Sequence, residues 1–214
     1  MVYILKNTDK LSEDIIENCL PLLSVQRRSK LNGYGSVLDR VNGCAVYILL
    51  RYALIKEYGY TNAPVFIFGE HGKPFLSDRK DLYFNMSHCR NAVCCIMSDK
   101  NTAVDITDIR TVRSGIIRRV CSMNEQELIT GSADPQRMFL RLWTRKECLS
   151  KLSGMGMSQG FRSLTDELPE ASGLHTTDFG DHILTYYSEK EEKINILSDP
   201  QRLISFLKEN ADPE

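Results

Sequence analysis

The chain has no large excess of charge of either sign. Its 27 Lys and Arg nearly cancel its 28 Asp and Glu over 214 residues. Nothing is left over to wrap nucleic acid or to lie on an anionic lipid surface, and any anion site must be local. Long apolar runs are also missing, and a membrane-spanning helix needs about 20 such residues. The N-terminus, Met1-Val2-Tyr3-Ile4-Leu5-Lys6-Asn7, lacks the basic start and cleavage site of a secretion signal, so a cytoplasmic location is expected. The seven cysteines include no Cys-x-x-Cys pair, which removes the usual zinc framework and leaves reduced, buried fillers. Low-complexity tracts and short-period repeats are absent.

What remains is an ordinary core-forming composition, 42% hydrophobic, enough for one large domain or two small ones. Residues 2–5 predict a strand, and Ser12 opens a helical pattern that runs to Leu20 and ends at Pro21. The basic piece Val25-Gln26-Arg27-Arg28-Ser29-Lys30-Leu31 predicts a short helix. From Val37 to Tyr58 the apolar positions Val41, Ala45, Ile48, Leu49, Tyr52 and Ile55 recur at helical spacing, with Gly59 as the stop. The period then changes. Residues 65–68, 82–84, 92–97 and 103–106 predict short strands of one small sheet. The second half repeats the order: helices at 112–120, 123–130 (capped by Ser122 and Glu125) and 135–152, strands at 183–187 and 194–197, and a closing helix at 199–209. Helices and strands mix without strict alternation, which favours an α+β class over a doubly wound sheet.

Several short stretches carry polar groups suited to chemistry. In Glu70-His71-Gly72-Lys73-Pro74 the glycine permits a tight turn and Pro74 holds Lys73 extended, which suits a phosphate contact and equally an exposed turn. Strand alternation in Phe84-Asn85-Met86-Ser87-His88 places Phe84, Met86 and His88 on one face and Asn85 and Ser87 on the other. Ser87 and His88 can bond phosphate oxygens, while a thiol nucleophile at Cys89 with His88 as its base yields to a buried, inert thiol, because sequence neighbours rarely have the required mutual geometry. In Ala103-Val104-Asp105-Ile106-Thr107-Asp108, Asp105 and Thr107 share a face. Magnesium needs oxygen ligands and usually keeps waters, so one carboxylate here and one from elsewhere would serve, whereas Asp105 alone reads as a strand-end aspartate. Glu147 is the candidate for the second. It lies four residues from Lys151 on one helical stripe with Trp143, a spacing that by itself describes a surface ion pair.

Taken in order, Gly72-Lys73-Pro74, the run from Phe84 to His88, Val104-Asp105-Ile106 and Trp143-Thr144-Arg145-Lys146-Glu147-Cys148-Leu149-Ser150-Lys151 resemble the Sfp-type 4′-phosphopantetheinyl transferases. The resemblance runs from about residue 24 to 160. It implies an α+β pseudo-dimer of two similar halves, residues 1–101 and 102–214, in a monomer with the active site in the cleft between them. It implies an Mg²⁺-dependent enzyme that moves the phosphopantetheine arm of coenzyme A onto a serine of an acyl, peptidyl or aryl carrier protein and releases 3′,5′-ADP. No nucleic acid or membrane partner is expected. Carried over by position, Asp105, Glu147 and Thr107 would hold Mg²⁺. Lys73, Ser87 and His88 would bind the nucleotide phosphates, with Arg27, Arg28, Lys30 and Lys146 beside them. Glu147 would take the serine proton, Lys151 would neutralise the departing phosphate, and the carrier would dock on the segment from about 154 to 185.

Three positions depart from the family. Thr107 stands where a Glu is usual, Asn42 where many members carry an Arg near the phosphates, and Ala103 where the metal strand has Gly. The alternatives to an active transferase are a diverged relative that binds coenzyme A or a carrier with little transfer, and an unrelated α+β domain with chance motif matches.

Overall fold

A continuous apolar run such as residues 92–97 needs cover on both faces, and the fold supplies it. The computed structural model describes residues 1–154, 161–164 and 173–212. Strands β1 (Val2–Lys6), β4 (Tyr83–His88), β5 (Ala92–Ser98) and β9 (Ile194–Leu197) form a four-stranded sheet in the order β4-β5-β1-β9. The pairs are antiparallel except β1 with β9, which is parallel. A second sheet, β6-β8-β7, consists of β6 (Ala103–Asp108), β8 (His182–Tyr187) and β7 (Leu174–Phe179). Strands β2 (Phe66–Phe68) and β3 (Pro74–Leu76) make a separate hairpin. The expected single small sheet is thus corrected. Residues 65–68 belong to the hairpin, 82–84 and 92–97 to the first sheet, and 103–106 to the second.

The two sheets face each other, and a helical layer covers the outer face of each. Val2, Ile4, Ala92, Cys94 and Ile96 of the first sheet pack with Val104, Ile106, Leu184 and Tyr186 of the second. The alternate residues Tyr3, Leu5, Val93, Cys95 and Met97 turn outward to helices α3 (Val37–Tyr58) and α7 (Pro200–Asn210). Across the second sheet, Ile183 packs with Ile129, Phe139 and Leu140 of α5 (Met123–Gly131) and α6 (Pro135–Ser153). Asp105 and Thr107, one residue out of phase with Val104 and Ile106, therefore face α6. The change of sheet falls between β5 and β6. The chain then returns: β9 pairs with β1, and buried Arg51 of α3 donates to the Asp212 carbonyl. Residues 194–212 therefore pack with the first half.

Helix ends follow local chemistry. Ser36 caps α3 by accepting from the Asp39 amide, and Gly59 ends it at φ 60°, a conformation that favours glycine. Ser122 and Glu125 form the anticipated reciprocal capping box. Asp134 caps α6, with Pro135 in its first turn and Gly154 at φ 72° beyond its end. The short helices α1 (Asp14–Cys19), α2 (Val25–Asn32) and α4 (Ser114–Val120) complete the set. Two strands were not anticipated. β3 is only three residues long and begins with a proline, and Leu174-His175-Thr176-Thr177-Asp178-Phe179 of β7 lacks an apolar alternation. No helix among the described residues is long and apolar enough to cross a membrane.

Candidate functional site

Where β4 and β6, the edge strands of the two sheets, run side by side, polar side chains of β4 join them. Asn85 Oδ1 accepts from the Val104 amide at 3.2 Å, and Ser87 Oγ donates to Asp105 Oδ1 at 2.7 Å. The predicted alternation of β4 holds: Asn85 and Ser87 bridge to β6, while Phe84 and Met86 pack on the α3 side. Lys151, in the last turn of α6, closes the group. Its Nζ donates to Asp105 Oδ1 at 2.6 Å, to Ser87 Oγ at 2.8 Å and to the Val104 carbonyl at 3.2 Å. Burial pulls the Lys151 pKa down, but the Asp105 carboxylate outweighs it and holds the ammonium above its ordinary value.

These groups border a cavity of about 370 Å³. Its wall includes Glu147, Ser150, Lys151 and Gly154 from the end of α6, His71, Gly72, Lys73 and Pro74 from the hairpin, and Ser87 and His88 from β4. Arg27, Lys30 and Tyr34 stand at its far side. Burial, then the charge of Asp105, push the Glu147 carboxyl above the usual carboxylate range, with Lys151 opposing. Burial, then the Lys151 charge, hold His88 below the ordinary imidazole value, so it tends to be neutral near pH 7. Burial also lowers Lys73 and, with Arg27 beside it, Lys30. Glu147 and Lys151 line the cavity, and Asp105 adjoins it through its bonds to Lys151 and Ser87.

Other expectations land differently. Lys73 lines the cavity, but its Nζ is held by Asn101 Oδ1 at 2.6 Å and the Leu152 carbonyl at 3.0 Å. Arg27 is buried and gives its guanidinium to the Gly43 carbonyl. A Cβ on Gly43 would come within 2.8 Å of Leu31 and 2.9 Å of Tyr34, so this glycine is what lets α2 approach α3. Lys30 keeps an exposed position on the cavity wall, while Arg28 is half-buried and is not among its lining residues. Lys146 is the clear correction. Its side chain is 1% exposed, pairs with Glu125 at 2.7 Å and donates to the carbonyls of Val120 (2.9 Å), Phe161 (3.2 Å) and Arg162 (2.5 Å). It points into the core of the second half and does not line the cavity. Cys89 is no activated nucleophile: burial pushes its thiol up to about 11. Asn42 is buried and donates to the Cys89 carbonyl at 3.0 Å. Thr107 is buried on the Asp105 face, and its hydroxyl lies 3.4 Å from the Asp108 carbonyl. The proposed docking segment from 154 to 185 lies partly outside the described residues.

Sequence reading missed Asn85, Asn101 and Tyr34. Asn85 had a signal, since it alternates with Ser87 on one strand face. Asn101 and Tyr34 had none, because only folding brings them to Lys73 and Gly43.

Among the described residues no three His, Cys, Asp or Glu side chains gather closely enough to hold a metal ion. The hard oxygens of Asp105 and Glu147 with the neutral Thr107 hydroxyl nonetheless suit magnesium. That ion is usually held by one or two carboxylates together with substrate phosphates and waters, not by an all-protein cage.

Comparison with known proteins bears on the family. Residues 102–204 match the model of the 4′-phosphopantetheinyl transferase superfamily. A 4′-phosphopantetheinyl transferase of Bacillus pumilus is 29% identical over 177 residues, covering 81% of this chain and 76% of the relative. The Sfp transferase of Bacillus subtilis strain 168 is 27% identical, over 69% of this chain and 67% of its own length. The AcpT transferase of Salmonella typhimurium is 32% identical over 50% of this chain and 58% of its own.

Proposed function

We propose, on the premise that the chain belongs to the 4′-phosphopantetheinyl transferase superfamily, that it transfers the 4′-phosphopantetheine group of coenzyme A to a serine of a carrier protein. The observation that carries this reading is the meeting of Lys151, Ser87 and Asp105 within 2.8 Å of one another at a cavity shared with Glu147. The family reading makes the molecule a pseudo-dimer, with helix-covered sheets as the two halves and the cleft at their shared edge.

In the reaction the carrier serine hydroxyl attacks the phosphorus that bears the pantetheine arm. A new P–O bond forms, the bridging P–O bond of the diphosphate breaks, and 3′,5′-ADP leaves with the bond's electron pair. Glu147, directly or through a water, takes the serine proton, and its raised pKa brings it nearer to a base's working range. Lys151 supplies positive charge to the departing phosphate, and Lys73, His88, Ser87 and Lys30 hold the nucleotide phosphates. Magnesium held by Asp105 and Glu147, with Thr107 or a water it holds, would neutralise the diphosphate charge.

The test is mass spectrometry of an apo carrier protein mixed with the chain, coenzyme A and Mg²⁺. The expected outcome is a gain of the phosphopantetheine mass. A second reading, a coenzyme A binder with little transfer, draws on Thr107 and on Asn42 being tied to the Cys89 carbonyl. No mass gain with several carriers, alongside retained coenzyme A binding, would favour it.

A further inference from the structure

The ammonium of Lys151 has three N–H donors, and all three are used: Asp105 Oδ1 at 2.6 Å, Ser87 Oγ at 2.8 Å and the Val104 carbonyl at 3.2 Å. Ser87 Oγ donates to the same Asp105 oxygen at 2.7 Å. One oxygen of the carboxylate expected to hold the divalent ion is thus doubly occupied by donors, one of them a full positive charge. The neighbouring position on that strand face, Thr107, is neutral, so the site holds two carboxylates and one ammonium, a net charge of −1. The other cationic or titratable groups on the cavity wall are Lys73, His71, His88, Arg27, Lys30 and Tyr34, and none of them is a carboxylate. A dication entering alone would meet a half-neutralised site with an ammonium hydrogen-bonded to its main ligand. A diphosphate changes that balance. It brings negative oxygens that can accept from Lys151, whose flexible four-carbon stem can carry the ammonium off Asp105.

Resting on the transferase reading above, we propose that Lys151 is a cationic placeholder on Asp105, so that the divalent ion binds together with the diphosphate of coenzyme A and not before it. No covalent bond changes in this exchange, and Lys151 stays protonated throughout. It moves from one anion to another as the ion takes over the carboxylate. Because Thr107 contributes no charge, this chain depends on the exchange more than one with a third carboxylate would.

Mn²⁺ serves as the probe, its free concentration followed by electron paramagnetic resonance, with coenzyme A alone as the control and no carrier present. Wild-type protein is expected to bind Mn²⁺ at least tenfold more tightly with coenzyme A than without it, and equal affinity overturns the proposal with no variant needed. Lys151→Met, with Lys151→Gln as the second choice should the first fold poorly, is expected to bind Mn²⁺ at least tenfold more tightly than wild type in the absence of coenzyme A. Equal or weaker binding would mean that the lysine supports the ion instead of standing in for it. Adding Asp105→Asn to Lys151→Met should remove the gained affinity. If it does not, the carboxylate does not hold the ion, and the metal part of the transferase reading fails on its own.

Discussion

Helix α6 carries two lysines that each meet a carboxylate, and the two pairs have different fates. Lys146 and Glu125 are sealed, with side chains 1% and 2% exposed, and the ammonium is surrounded by Glu125 and three backbone carbonyls. Lys151 and Asp105 are 27% and 9% exposed and stand at the cavity wall. Five residues of helix rotate a side chain by roughly 140°, so one lysine enters the core of the second half and the other enters the cleft. The first pair ties α4, the capping box of α5 and residues 161–162 to α6, and a charge so enclosed has nothing else to meet. The second lies where a phosphate can arrive, and its partners can be exchanged. The pairs teach that the chemistry of an ion pair does not reveal its role; what matters is whether another ligand can reach it.

The contrast breaks first at the residue between them. Glu147→Gln is expected to lower transfer by about 10² to 10⁴ fold, the range for losing a general base, with the circular dichroism spectrum unchanged; turnover at the wild-type rate would remove Glu147 from the reaction. Next in size is Lys146→Met, expected to lower stability by about 3–5 kcal/mol in urea unfolding, because the buried Glu125 carboxylate loses the Lys146 ammonium. The double variant Lys146→Met, Glu125→Leu should recover most of that loss. A single variant as stable as wild type would contradict the sealed pair.

Thr107→Glu should lower the Mg²⁺ concentration for half activity by about tenfold, which corresponds to ~1.4 kcal/mol from one added carboxylate ligand. An unchanged requirement would place Thr107 outside the metal's ligands. The smallest effect concerns pH. Glu147 has a raised pKa in the folded protein, so the fold binds this proton more tightly than the unfolded chain does. Its stability contribution is complete below the unfolded value of about 4.3 and is lost as pH rises through the folded value. Metal-free Glu147→Gln should therefore melt slightly higher than wild type near neutral pH, with the gap closing on acidification. A gap that widens on acidification would reverse the sign.

Much of the fold was legible in the chain. Helix α3 fell at Val37–Tyr58 as its apolar spacing predicted, and the capping box at Ser122 formed, because propensity and caps act within a few residues. Lys73, Ser87, Asp105, Glu147 and Lys151 were readable as candidates from residue type and order. Lys146 was misplaced because it was carried over by position from the resemblance, whereas adjacent helical residues point about 100° apart and Lys146 does not follow Glu147 to the cavity. The hairpin strand β3 and strand β7 escaped because neither carries an apolar alternation.

The sequence by itself determined the element types, the alternation that puts Asp105 and Thr107 on one strand face, and the helical stripe that joins Glu147 to Lys151, since all of these follow from local periodicity. Tertiary structure alone decided that β4 and β6 lie edge to edge, that Ser87 reaches Asp105 across them, that β9 returns to the first sheet, and which lysine is enclosed. Those facts depend on contacts between residues far apart in the chain, where the free energy of burying two sheets against each other selects one arrangement that no local pattern encodes.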